Sequence, residues 1–209
     1  KNSGLFVLEG VRLCLDAVKS GCEIVSVFCT ENCAEKYQDN ISELKSACAD
    51  FYFVREDVLK SISDTVTPQG VICTVKMCSN DFEYESGKKY IALDTIQNPD
   101  NLGAISRTAE AFGIDGMVIC GGCDIYNPKA LRASMGALFR LPVKVCKSLE
   151  DEINLCKNIG IQSFATVPDR DAYDITKTDF SKGALCIIGN EGNGVSKEVL
   201  EKADKKIKI

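Results

Sequence analysis

Residues 90–113, YIALDTIQNPDNLGAISRTAEAFG, read as strand, tight turn and helix, with polar groups gathered at the junction. Such a unit belongs to an α/β fold, and most of the chain can be read as its support. Residues 90–93 form a short apolar run suited to a buried strand, and Asn98-Pro99-Asp100-Asn101 is dense turn chemistry. Asp100 or Asn101 is available to cap the helix that follows. Leu102, Ile105, Ala109 and Phe112 repeat at helical spacing and are expected to face a sheet, while Gly113 stands where a left-handed C-terminal residue is wanted. Arg107 lies about 140° around from Leu102, at ~100° per residue, and so leaves the apolar face and is free to reach a ligand. Taken singly, a solvated helix arginine and an Asn-rich turn would explain these features.

A chain of 209 residues with 45% hydrophobic content suits one large or two small globular domains. No stretch reaches the apolar length that crosses a bilayer, and the opening KNSGLFVLEG lacks a signal-peptide pattern, so a soluble protein with no membrane partner is expected. The twelve cysteines stand at scattered positions such as Cys14, Cys48, Cys73 and Cys186 inside apolar segments, which points to a reducing cytoplasm. Cys120-Gly-Gly-Cys123 has the spacing of a redox or zinc half-site. The chain has no His to complete a tetrahedral zinc, and Asp124-Ile-Tyr-Asn-Pro intervenes before any helix a redox pair would open. A glycine turn after a strand is expected there, with no metal. Without His, proton transfer falls to carboxylate, Lys, Tyr, Cys or water.

Ahead of the central junction, helices are expected over 8–20, 31–49 and 57–63, and strands over 23–29, 51–54 and 71–76. This makes a small α/β domain over residues 1–78. The polar, aperiodic SNDFEYESGK gives a linker over 79–88, and a second α/β domain occupies 89–209. Through Ser86 there are 8 Lys+Arg against 14 Asp+Glu, and from Gly87 onward 17 against 16. A net charge of −5 argues against a nucleic-acid binder. Residues 125–149 contain no acid, however, while Lys129, Arg132, Arg140, Lys144 and Lys147 add positive charge that can attract phosphates.

Within that basic stretch, Asn127-Pro128 is a strong helix start and KALRASMGALF is expected to follow as one helix, with Lys129 and Arg132 on a shared face. A helix over 151–158, a strand over 161–167, a polar loop and a strand over 184–188 lead to GNEGNGVSKEVLEKA, a glycine-rich turn into a helix. Its spacing nearly matches a phosphate loop, but Val195 stands where the phosphate-binding Lys is required and Glu191 would bring negative charge. The dinucleotide fingerprint does not fit either. Loop glycines still let backbone amides approach a ligand, and an acidic side chain suits a neutral or cationic one.

The pattern of Asn98-Pro99, Asn101, Gly103 and Arg107 after a strand ending in Asp94 resembles the first motif of the SpoU/TrmH family of RNA 2′-O-ribose methyltransferases, in the SPOUT superfamily. NPKALRASMGALFRLPV and IIGNEGNGVS resemble two further segments of that family, and FVLEGVRLCLDAVKSG with TVTPQGVICTV resemble its leading RNA substrate-binding domain. The resemblance implies methyl transfer from S-adenosyl-L-methionine to a ribose 2′-hydroxyl, with 23S rRNA favoured over tRNA. It implies Asn101, Arg107 and Glu191 as catalytic-site residues, with Asn101 fixing Arg107 and Arg107 orienting phosphate and ribose. Cofactor contacts are implied at Thr166, Val167, Ile188, Gly189, Asn190, Gly192 and Gly194, and RNA contacts at Lys129, Arg132 and Arg140. A homodimer and a C-terminal trefoil knot are implied as well. The family's third motif would begin where the chain stops at Ile209, so both ends read as trimmed, and a protein lacking that segment is not expected to catalyse transfer. A non-catalytic RNA-binding protein is the alternative that a cofactor titration would separate.

Overall fold

The computed structural model describes residues 4–77 and 81–208. The expected domain boundary at residue 78 and the first linker positions lie outside the described residues. The leading half runs β1 (Leu5–Glu9), α1 (Val11–Lys19), β2 (Ile24–Cys29), α2 (Glu31–Lys36), α3 (Gln38–Ala47), β3 (Cys48–Phe53), α4 (Glu56–Ile62) and β4 (Val71–Lys76). Its strands form a sheet ordered β1-β4-β2-β3, in which β2 and β3 are parallel and the other pairs antiparallel.

Three sequence expectations change here. Strand β1 occupies Leu8, where a helix was expected to begin, because Gly10 at φ +98 turns the chain and α1 starts only at Val11. The single helix expected over 31–49 breaks at Tyr37, whose ψ of 45° leaves the helical range, and gives α2 and α3. Strand β3 then starts at Cys48, three residues earlier than the apolar run suggests.

The second half runs β5 (Lys89–Asp94), α5 (Pro99–Ala111), β6 (Gly116–Cys120), α6 (Pro128–Ser134), α7 (Ala137–Arg140), β7 (Val143–Cys146), α8 (Leu149–Asn158), β8 (Gln162–Thr166), β9 (Tyr173–Asp174), β10 (Ala184–Gly189), α9 (Lys197–Lys202) and β11 (Lys205–Lys208). Among the described residues its strands make one all-parallel sheet ordered β7-β6-β5-β10-β8-β11-β9. Burial on both faces explains why β5 and β6 read as near-continuous apolar runs. From β5 the chain passes through α5 to β6 on one side, whereas from β10 it passes through α9 to β11 on the other. These neighbours, with Asp94 opposite Gly189, therefore form a topological switch point, and a crevice opens at their carboxyl ends.

Details of the second half also depart from expectation. Helix α5 does present Leu102 and Ala109 to the core, but Phe112 is 82% exposed because it is the C-cap, beyond the last helical turn. Gly113 takes the expected left-handed turn at φ +68. The helix expected over KALRASMGALF is two, since Met135 and Gly136 both adopt left-handed angles, φ +50 and φ +84. Gly121 and Gly122 form the expected glycine turn.

The halves share one core. Phe6 of β1 lies 4.7 Å from the Tyr126 ring and 6.2 Å from Phe139, and Phe6, Leu8 and Leu13 cluster with Leu131 and Phe139. The described part of the expected linker is also tied down. Phe82 stacks on Tyr90 at 5.3 Å, and the Tyr84 hydroxyl donates to buried Glu152 at 2.8 Å. Among the described residues no helix is long and apolar enough to cross a membrane.

Candidate active site

Helix α5 starts at the switch point because the Asn98 side chain accepts from the Asp100 N–H at 2.9 Å and Pro99 fills the first position, where no N–H is needed. The cap is thus Asn98, neither Asp100 nor Asn101, and the Asn101 amide is left for another partner. Its Nδ2 donates to Glu191 Oε1 at 3.0 Å. The same carboxylate accepts from the backbone N–H groups of Gln97 at 3.1 Å and Asn98 at 3.0 Å. These bonds, the Asn101 amide foremost, lower the Glu191 pKa to about 2, so the carboxylate stays ionised well into acid solution.

Glu191 sits on a loop that folds back on itself. Asn190 and Gly194 exchange backbone hydrogen bonds of 3.0 and 2.9 Å. A Cβ on Gly189 would lie 2.1 Å from the Gly194 carbonyl carbon and the Val195 nitrogen, so only glycine permits this return. Within the loop, Asn190 Oδ1 accepts from the N–H groups of Gly192 and Asn193, and its Nδ2 donates to the Thr95 carbonyl at 2.9 Å. On the neighbouring strand end, Thr166 Oγ1 donates to the Ile187 carbonyl and Val167 N–H to the Ile207 carbonyl, each at 2.9 Å. The expected cofactor set, Thr166, Val167, Ile188, Gly189, Asn190, Gly192 and Gly194, thereby gathers along the carboxyl ends of β8 and β10.

Arg107 stands apart from this contact. Exposed on α5, it points Nη1 at Met135 Sδ, 3.3 Å away. Asn101, expected to fix Arg107, instead directs its amide to Glu191. Helices α5 and α6 that carry these groups pack closely because Gly103 has no Cβ; one there would lie 2.4 Å from Ala133 Cβ.

The basic stretch is less basic in space than along the chain. Arg132 lies 3.7 Å from Asp64, and Arg140 makes a two-pronged pair with Glu110, including an Nη2 to Oε2 contact of 2.9 Å. Lys144 pairs with Glu152 at 3.0 Å. Lys129 is exposed at the start of α6, beside the Asn127 cap. Gln97 was not anticipated from sequence, since a backbone donor carries no side-chain signal.

A parallel α/β sheet with an ionised, hydrogen-bonded carboxylate at its switch point defines an enzyme-like crevice in a two-part chain. The family described as SpoU rRNA Methylase matches residues 88–209, and the one described as RNA 2′-O ribose methyltransferase substrate binding matches residues 7–80. The chain belongs to the SpoU rRNA methylase family, a class of RNA methyltransferases. An uncharacterized tRNA/rRNA methyltransferase of Synechocystis is 32% identical over 214 residues, covering 100% of this chain and 77% of that protein. The 23S rRNA (guanosine(2553)-2′-O)-methyltransferase RlmP of Bacillus subtilis is 30% identical over 200 residues, covering 95% of this chain and 77% of RlmP. Among solved structures, the SpoU methyltransferase AviRb of Streptomyces viridochromogenes, in complex with AdoMet, matches with a TM-score of 0.86 at 25% identity, covering 99% of this chain and 81% of that one.

Proposed function

We propose that this protein transfers a methyl group from S-adenosyl-L-methionine to a ribose 2′-hydroxyl of 23S rRNA. The observation that carries the reading is the Asn101–Glu191 bond at the β5–β10 switch point, where two distant motifs meet. RlmP, named for this reaction on 23S rRNA, and AviRb, solved with AdoMet, support it. The residues fit that cofactor: Ile188 and Gly189 leave backbone partly open at the strand end, and the ionised Glu191 suits a ligand bearing a cation. Ile188, Gly189, Asn190, Gly192 and Gly194, with Thr166 and Val167, would hold it. When bound it supplies an electrophilic methyl group on a sulfonium.

The chain's own residues position the acceptor. Glu191 fixes the Asn101 amide beside the entrance of α5. Arg107, on the exposed face of the same helix, holds the phosphate next to the target ribose. A guanidinium carries only donors and no acceptor, so Arg107 is no base and loss of the hydroxyl proton is assisted by that phosphate. Lys129, Arg132 and Arg140 add phosphate contacts; Arg132 and Arg140 exchange Asp64 and Glu110 for RNA. We assign residues 1–78 to substrate binding, 79–88 to a linker and 89–209 to methyl transfer, with the family matches over 7–80 and 88–209 as support. The homodimer and the trefoil knot are carried over from the family, and buried thiols such as Cys14, Cys73 and Cys156, none of them in a disulfide, fit a reducing cytoplasm.

The test supplies full-length protein with labelled S-adenosyl-L-methionine and unmodified rRNA and tRNA pools, followed by nucleoside digestion. Label at one rRNA nucleotide is expected. Label in tRNA alone would transfer the assignment to a tRNA enzyme, and no label together with no cofactor binding would leave an RNA-binding module.

A further inference from the structure

Asp94 closes β5 with only 5% of its surface exposed, and the proposed reaction gives its carboxylate no task. A buried carboxylate is costly unless its oxygens are used. Oδ2 accepts from the Ser196 N–H at 2.8 Å, and Oδ1 lies 3.4 Å from the Thr95 hydroxyl. Thr95 itself holds a left-handed φ of +55, uncommon for a β-branched residue, and its carbonyl accepts the Asn190 amide at 2.9 Å. Asp94 and Thr95 thus grip both ends of the loop: Asn190 where it leaves β10 and Ser196 where it enters α9. Glu191 stands between those two clamps, and Val195 is buried beneath them.

We propose that Asp94 is a positioning residue for the cofactor. By holding the Ser196 N–H, and Asn190 through Thr95, it fixes the shape in which residues 189–194 and Glu191 face S-adenosyl-L-methionine. The assignment rests on the cofactor site proposed above. What the loop needs from Asp94 is an acceptor at Oδ2, and Asn at this position keeps an acceptor oxygen whereas Ala does not. Ser196 sits at φ −59, an angle proline shares, so Ser196→Pro removes the same bond from its other end, and its ring carbon also crowds Asp94 Oδ2, which lies 2.8 Å from that nitrogen.

Full-length wild type, Asp94→Ala, Asp94→Asn and Ser196→Pro are titrated calorimetrically with S-adenosyl-L-methionine, and cofactor-free hydrogen exchange is followed residue by residue. Asp94→Ala is expected to weaken cofactor binding by about tenfold, the loss that one unpaired buried group brings, and Ser196→Pro by at least as much, since its ring also crowds Asp94. Asp94→Asn is expected to stay within about threefold of wild type. Exchange should quicken over 190–196 in the two weakened variants and stay unchanged in β5 and β6, and RNA affinity without cofactor should not move. Wild-type affinity in both Asp94→Ala and Ser196→Pro, or Asp94→Asn as weak as Asp94→Ala, would overturn the assignment alone. Faster exchange throughout the sheet would reduce Asp94 to a fold-stabilising group and overturn it as well. A wild-type protein that binds no S-adenosyl-L-methionine would instead overturn the cofactor reading on which the assignment depends.

Discussion

Glutamate ordinarily titrates near 4.5, and Glu191 is held near 2 because the Asn101 amide and the N–H groups of Asn98 and Gln97 all favour the anion. A folded pKa below the unfolded one contributes stability that is complete above 4.5 and lost as pH falls toward 2. Thermal melts of wild type and Glu191→Gln should therefore differ at pH 7 and converge through that window, and a difference independent of pH would contradict the bonding described. Arg107 invites a second substitution. If it grips a phosphate with its planar fork, Arg107→Lys should cut methyl transfer by about tenfold or more, because an ammonium is a point charge. Turnover near wild type would count against that geometry. At this scale the sequence supplied Asn101, Arg107 and Glu191 as motif members, but not who touches whom. Arg132 and Arg140 show why: their acids, Asp64 and Glu110, lie outside the acid-free stretch and arrive only by folding.

Helices α5 and α6 meet where Gly103 faces Ala133 and the Ala130 carbonyl, and an added methyl would lie 2.4 and 2.7 Å from them. Gly103→Ala should push the pair apart and cost about 1–3 kcal/mol, read as a lowered urea midpoint. An unchanged midpoint would mean that the helices give way freely. Elements were legible in the sequence where apolar spacing met a clear stop, as at Asn98-Pro99, Asn127-Pro128 and Gly113. They were not where spacing continued through a break. Buried Cys33, Ile41 and Leu44 read as one helix across Tyr37, and the apolar residues on either side of Met135 and Gly136 did the same. Strand β1 was hidden because LFVLEGVRL satisfies helical spacing from Leu8 onward, and only Gly10 at φ +98 decides between them.

The two sheets are joined by one apolar core that runs from Phe6 and Leu8 through Leu131 and Phe139 to Leu93 and Leu102. Calorimetry should accordingly give one unfolding transition, and Phe6→Ala, which empties the site beside Tyr126 and Phe139, should cost about 3–5 kcal/mol. Two transitions in the wild type would contradict a shared core. Under the proposed division of the chain, a leading half packed this way sets a fixed distance between the RNA it would hold and the Asn101–Glu191 junction, which gives that division a rigid geometric basis. The measurement that tests this most directly is mass spectrometry of nucleosides released from 23S rRNA after incubation with S-adenosyl-L-methionine and full-length protein, wild type beside Glu191→Gln. One ribose-methylated nucleoside from wild type, reduced by about tenfold or more in the variant, is the predicted result. A methyl group on a base, or equal yields from both proteins, would contradict it.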